Sequence, residues 1–255
     1  MCRIDTNVYF CVMDLFKIYS EGDKFFLPNL SIDLVIIGYR QRDLKCLLLK
    51  IDNKWLLPGG YIKIDESVKH AAKRILKERT GLDNQHLKFM SVFGDKDRQF
   101  KEEFVAYLKK KHLEWQEDSW VNNRFVTLTY YSLVEIDAIK PVIGNLDEQS
   151  SWFSFDNLPP MWMDHSSILT AARNRLKEDI QQEHLTYNLL PDKFTMPELH
   201  QLHQTILGEK LDRSRFQKKM LSSGIFERLP KLQKESPGRN PYQYCIKSKK
   251  TNPQR

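Results

Sequence analysis

Residues 60–82, GYIKIDESVKHAAKRILKERTGL, constrain the fold more than any other stretch of comparable length. A Pro-Gly-Gly loop at 58–60 punctuates the chain, and a helix is predicted from near Asp65 to a C′ glycine at Gly81. Val68, Ala72, Ile75 and Leu76 give it one apolar stripe, so one face rests on a core. Residues at i, i+3 and i+4 share a helix face, which places positions 75, 78 and 79 together; they read Ile75, Glu78 and Arg79. Metal-dependent diphosphate hydrolysis needs several carboxylates converging on divalent ions that neutralise phosphate charge and activate water. One carboxylate beside a guanidinium offers Mg²⁺ little. No metal and no catalytic residue are therefore expected, with Glu78 only a weak candidate ligand.

The flanking sequence supplies a sheet. The runs LVIIGY and CLLLKI flank the turn cluster YRQRD and predict a hairpin of core strands. HLKFMSVFG reads as a strand, and a helix is expected from about Gln99 to His112 on Phe100, Phe104 and Leu108. RFVTLTYYSLVEI has the β-branched and aromatic content of a long strand. SWFSFDNLPP reads as a short strand and stop, and DHSSILTAARNRLKEDIQQEH as a closing amphipathic helix. This body is mixed α/β, and the 41% apolar residues of the whole chain can fill a core of ordinary size. No apolar run approaches the roughly 20 residues that cross a bilayer. Cys2, Cys11, Cys46 and Cys245 have no paired spacing and no leader pattern precedes them, so a reduced cytoplasmic protein is expected.

Charge divides the chain. Residues 1–191 carry 26 Lys+Arg against 27 Asp+Glu, whereas residues 192–255 carry 14 against 6, so all the excess positive charge lies at the end. A basic module on a neutral body points to a polyanionic partner. Thr195 and Glu198 form a T-x-x-E capping box ahead of a helix with Leu199, Leu202 and Ile206 on its apolar face, ended by Gly208. Asp212 caps a second helix, RSRFQKKMLSS, stopped by Gly224, and IFERLPKL and YQYCIK are short strands around a turn-rich segment. Helix, turn, helix and ribbon in that order describe a winged helix-turn-helix.

Residues 60–82 resemble the Nudix box, G-x5-E-x7-R-E-U-x-E-E-x-G-U with U aliphatic. Gly60, Glu66, Arg74, Leu76, Glu78, Gly81 and Leu82 match it, while Ile75 and Arg79 stand where metal-binding glutamates belong. Together with FGDKDR, the TYYSLV strand, NLLPDKFTMPELHQLHQTILGEKLDRSRFQKKML and the basic ribbon, the chain resembles the Nudix-related transcriptional regulators, the NrtR-like family, over roughly residues 31–247. The resemblance implies a Nudix-type α/β/α sandwich with a mixed sheet followed by a small winged helix. It implies an N-terminal extension at 1–30, an effector-binding domain at 31–188 and a DNA-binding domain at 189–255. It also implies a homodimer on operator DNA, answering to a small molecule: ADP-ribose in one branch, a pentose such as arabinose in another. The first thirty residues and an insertion at 99–122 are outside the pattern of shorter members and bear on pocket shape.

Effector contacts are expected from Gly60, Glu66, Arg74, Glu78, Arg79, Asp97 and Arg98. Glu66 and Arg74 match positions that in the family buttress loop and helix. A guanidinium at Arg79 can hold a phosphate or sugar hydroxyls directly, and Glu78 is equally an ordinary surface glutamate paired with a cation. DNA contacts are expected from Arg213, Ser214, Arg215, Lys218 and Lys219 on the outward face of the second basic helix, with Arg239 on the wing. A solvated helix face would carry similar residues; the surrounding module favours DNA. His200 and His203 are expected to pack or face solvent. The rival is an active hydrolase of ADP-ribose or a related nucleoside diphosphate, with Mg²⁺ on Glu78 and a residue outside the box. A ligand-free interaction scaffold is the third reading.

Overall fold

The computed structural model describes residues 15–83, 86–98, 101–141, 149–182, 189–232 and 240–247. α1 (Leu15–Glu21) leads into β1 (Phe26–Arg40), β2 (Asp43–Ile51), β3 (Lys54–Leu56), β4 (Gly59–Lys63) and α2 (Val68–Thr80). There follow β5 (Lys88–Phe93), α3 (Lys101–Lys110), β6 (Val126–Leu133), β7 (Gln149–Ser154) and α4 (His165–Gln182). The basic module contains β8 (Phe194–Thr195), α5 (Met196–Leu207), α6 (Arg213–Ser222), β9 (Phe226–Lys231) and β10 (Tyr242–Ile246).

β1 organises the first domain. It pairs in parallel with β6 and antiparallel with β2 and β4, within a sheet of order β3-β2-β1-β6-β5 to which β7 adds on β2. Successive strand residues point to opposite faces. Ile32, Leu34 and Ile36 pack with Leu47 and Ile62 against α2, whereas Val35 and Ile37 pack with Leu48 and Tyr131 in the core that holds α4. Helices therefore cover both faces, which is why the strand reads as an unbroken apolar run. The result is an α/β/α sandwich with a mixed sheet.

Several local expectations shift. α2 starts later than Asp65, because the Ser67 side chain accepts from the His70 N–H and caps it, while Gly81 at φ 72° closes it as expected. α3 is shorter than 99–112, and it buries Tyr107 beside Leu108 with Phe104 only half-buried; Gln99 and Phe100 lie outside the described residues. β1 crosses the boundary expected at residue 30, since Phe26 pairs with Lys63 and Leu30 with Val126. Tyr19 of α1 is buried too, so residues 15–30 are built into the sandwich.

In the second module the capping box is present in both directions: Thr195 N–H donates to Glu198 Oε2 at 2.7 Å, and Glu198 N–H to Thr195 Oγ1 at 3.4 Å. Asp212 Oδ1 accepts the Arg215 N–H at 2.7 Å to start α6. β8, too short to show a period, adds a third strand to the ribbon through Tyr244↔Phe194. The two modules share one apolar core: Leu176 and Ile180 of α4 continue through Leu190 and Phe194 to Leu202 and Phe216. Among the described residues no helix is long and apolar enough to cross a membrane.

Candidate functional site

A cavity of about 240 Å³ opens in the first domain beside the β3–β4 loop. Its polar floor comes from β1 and α4. Asp33, 7% exposed, accepts from Thr127 Oγ1 at 2.8 Å and lies 3.9 Å from the Arg98 guanidinium and 4.0 Å from His165 Nε2. The loop approaches this carboxylate so closely that a Cβ at Gly59 would stand 2.5 Å from Asp33 Oδ1. His165 Nδ1 accepts the Leu57 N–H at 2.9 Å, which leaves the ring proton of the neutral form on Nε2, facing Asp33. Burial pushes the His165 pKa down, against the opposing pull of Asp33 and Asp164.

Arg98 is committed within this floor. Its guanidinium makes a two-point contact with Asp164, at 2.7 and 3.1 Å, and donates to the Phe125 carbonyl at 3.0 Å. Tyr61, Phe125 and Trp162 build the aromatic walls. Burial and the Asp33 charge push the Tyr61 hydroxyl up to about 12, so it stays a neutral donor.

The segments expected to affect pocket shape close it from above. Tyr19 from α1 meets Phe104 and Trp115 at ring separations of 5.9 and 6.3 Å. Its hydroxyl accepts the Gln116 N–H at 2.6 Å, and Trp120 Nε1 donates to the Ile18 carbonyl at 2.7 Å. Asn122 Nδ2 is turned toward the Gln116 and Glu117 carbonyls, so its Oδ1 points away from them, buried and without a partner among the described residues. Asn122 lines the cavity. A bound donor, a hydroxyl or an amine, would satisfy that acceptor.

The box residues divide between wall and brace. Gly60, Arg79 and Arg98 line the cavity. Arg79 Nε donates to the Gly59 carbonyl at 3.1 Å, clipping the loop to α2. Glu66, Arg74 and Glu78, expected as contacts, form a brace outside the wall: Arg74 donates to Glu66 Oε2 at 3.0 Å, to Glu78 Oε2 at 2.9 Å and to the Tyr61 carbonyl at 2.9 Å. Burial raises the Glu66 pKa, but Arg74 and the Lys63 N–H outweigh it and hold it below the usual range. Asp97, also expected as a contact, is exposed and away from the wall. Ile75 is 1% exposed, against Gly60. These residues do not fit Mg²⁺: Ile75 offers no oxygen, Arg79 is a cation and Glu78 is bound to Arg74. Among the described residues no group of three or more His, Cys, Asp or Glu is arranged to hold a metal ion. Asp33, His165 and the Tyr19–Trp115 cap were not anticipated; the one local signal was a carboxylate interrupting the apolar run of β1.

A second candidate surface lies on α6. Phe216 and Met220 are buried, while Arg213, Ser214, Arg215, Lys218 and Lys219 are exposed. None of the four cations has an ion-pair partner among the described residues. Phe216 sits against the rings of His200 and His203, at 5.1 and 4.9 Å, so both histidines pack as expected. On the ribbon the Arg228 guanidinium stacks over Tyr242 at 3.3 Å. Arg239 lies outside the described residues.

A family model for the NUDIX domain matches residues 30–172, and one for the NrtR DNA-binding winged helix domain matches residues 186–246. The chain is similar to the ADPR responsive transcriptional repressor NtrR of Acinetobacter baylyi, 27% identical over 218 residues that cover 82% of this chain and 78% of that one. It is also similar to the ADP-ribose pyrophosphatase of Methanocaldococcus jannaschii, 23% identical over 56% of this chain and 71% of that one. The crystal structure of Shewanella oneidensis NrtR complexed with a 27mer DNA superposes with a TM-score of 0.64 at 22% identity, over 86% of this chain and 93% of that one, a likeness of fold.

Proposed function

This chain belongs to the Nudix family and, with its NrtR DNA-binding winged helix, is a Nudix-related transcriptional regulator, and on that footing we propose that it is an ADP-ribose-responsive repressor. One observation carries the reading: the helix whose first residue, His165, lines the Nudix cavity shares an unbroken core with the helix that presents the exposed cations. A ligand that shifts α4 relative to the sheet therefore has a packed route to the DNA-reading surface.

The relative of Acinetobacter baylyi, named as ADPR responsive, supports ADP-ribose as the effector class. The cavity supports it through chemistry. Aromatic walls suit a base or a sugar face, Asn122 Oδ1 and Asp33 suit donors such as ribose hydroxyls, and Arg79 and Lys101 bring cations for phosphate. Its enclosed volume also suits a pentose, which is the second effector to test. We further propose a dimeric cytoplasmic protein, because winged helices commonly read paired half-sites about one helical turn apart. The replacement of two box carboxylates by Ile75 and Arg79 supports a sensor without hydrolytic turnover.

The test is binding of the full-length protein to DNA from upstream of its own coding sequence, against scrambled competitor at fixed salt, with ADP-ribose and a panel of pentoses. Sequence-specific binding weakened by ADP-ribose is expected. Binding that responds to a pentose alone would replace the effector. Magnesium-dependent hydrolysis of ADP-ribose, abolished by Glu78→Gln, would overturn the reading in favour of a hydrolase.

A further inference from the structure

We infer that the tip of the β1–β2 hairpin, on the Nudix domain, is a second contact to the DNA backbone, with Arg42 as the residue that reaches a phosphate. The inference rests on the proposed DNA-binding role of α6. It adds a surface outside the winged helix.

The first observation is position. A recognition helix meets base edges with its N-terminal residues, and a wing flanks it. Here Arg213 opens α6, and Leu232 and Pro241 stand where β9 and β10 give way to the wing. These three residues line an open cleft of about 550 Å³ together with Tyr39, Arg40, Gln41 and Arg42. The hairpin tip therefore stands beside the elements expected to face DNA. Tyr39 packs on the shared core, and Thr205 Oγ1 of α5, which donates to the Gln201 carbonyl at 3.0 Å, lies 3.5 Å from the Arg42 carbonyl, so the tip abuts the winged helix.

The second observation is backbone conformation. Gln41 and Arg42 have φ of 54° and 61°, both in the left-handed region. A two-residue hairpin turn with positive φ at both positions is relaxed by Asn-Gly. Backbone strain of this kind clusters at binding and active sites.

The third is charge. Arg40 is engaged by Asp137, but Arg42 is exposed and has no ion-pair partner among the described residues. A guanidinium carried on this turn beside a basic helix start is suited to a phosphate oxygen.

A phosphate contact carries no sequence information, so its loss is read on any duplex. Removing one lowers the slope of log K against log salt by about 0.9 per bound subunit, which extrapolates to about fivefold weaker binding at 0.15 M salt. The experiment measures anisotropy-detected binding over a salt series, with a duplex recovered by in vitro selection and a mixed-sequence duplex, for wild type, Arg42→Ala, Arg42→Lys and Arg215→Ala. Arg42→Ala is expected to lose that slope on both duplexes while keeping its preference for the selected one, and Arg42→Lys to restore it. An Arg42→Ala protein with wild-type melting temperature, affinity and slope overturns the inference while leaving the α6 reading intact. A wild-type protein from which no sequence can be selected, with Arg215→Ala indistinguishable from it, overturns the DNA reading and this inference with it.

Discussion

Restoring the two missing carboxylates of the Nudix box tests how far the domain has been rebuilt around their replacements. Ile75 is 1% exposed and packs with Ile32, Leu34 and Leu76, against the backbone at Gly60. Ile75→Glu removes apolar burial worth about 2 kcal/mol. It also places a carboxyl in an apolar site, where pKa values rise by up to about 3 units, at about 1.4 kcal/mol each. The sum, about 6 kcal/mol, is comparable with the whole stability of many domains. Arg79→Glu removes the hydrogen bond to the Gly59 carbonyl, about 1 kcal/mol more. Magnesium at a hundred times its dissociation constant returns only about 2.7 kcal/mol. The double variant is therefore expected to be much less stable than wild type even with Mg²⁺. Urea denaturation followed by tryptophan fluorescence, with and without Mg²⁺, measures this, and ADP-ribose turnover is assayed on the same samples. A double variant with the wild-type urea midpoint in metal-free buffer would refute the argument that Ile75 is committed to the core. Magnesium-dependent turnover by the wild-type protein, at a rate the double variant does not exceed, would refute the claim that the box is disabled.

Three further outcomes follow from buried polar groups and caps. His165 has its pKa lowered mainly by burial and titrates near 6.5 when unfolded; stability is then full above about pH 6.5 and falls as pH drops below it, by at most about 1.4 kcal/mol per unit, and urea curves at several pH values should show a flatter dependence for His165→Gln. Asp179 is held below the usual carboxylate range despite its burial by hydrogen bonds from Tyr131, Lys88 and Arg175, so Asp179→Asn is expected to cost about 3 kcal/mol in urea denaturation. Thr195→Ala breaks the capping box of α5 and should lower the stability of the winged helix by about 1 kcal/mol, read by circular dichroism during thermal unfolding.

The parts of the fold that were legible in the sequence are those whose signal is local. The T-x-x-E box at Thr195 and Glu198, the cap at Asp212 and the stop at Gly81 each announce a helix end within a few residues. The alternation of LVIIGY with CLLLKI announces a hairpin in the same way. The cavity was less legible because its groups meet across long separations. Arg98 finds Asp164 sixty-six residues away, and Tyr19 reaches Gln116 across ninety-seven. Asp33 was hidden for a different reason: β1 is covered on both faces, so its apolar run has no phase to say which face the interrupting carboxylate lies on. Glu66, Arg74 and Glu78 match the motif whether they touch ligand or brace a loop, and only Arg74's bonds to Glu66, Glu78 and the Tyr61 carbonyl separate the two roles.

β1 joins the cavity to the proposed phosphate contact. Asp33 lies in the cavity and Arg42 at the hairpin tip, nine positions along the chain, about 30 Å at the usual strand rise. The strand has little freedom to slip, because a one-residue shift would exchange Ile32, Leu34 and Ile36 with Asp33, Val35 and Ile37 between the two cores. A displacement at Asp33 is thus passed to the tip as a whole-strand movement, and the tip meets α5 through Thr205. Thr205→Val keeps the shape of the side chain and removes its hydroxyl, touching neither proposed ligand. The one proton of that hydroxyl also serves the Gln201 carbonyl at 3.0 Å. The 3.5 Å contact with the Arg42 carbonyl therefore contributes less than the roughly 1 kcal/mol of a full neutral hydrogen bond, and the coupling between effector and DNA is expected to weaken by less than about fivefold while each affinity measured alone stays near wild type. Coupling is reciprocal, so calorimetric titration of ADP-ribose into free and DNA-bound protein must give the same factor as DNA titrated into free and ADP-ribose-bound protein. Undiminished coupling in Thr205→Val would shift the route away from the hairpin and onto the α4 core.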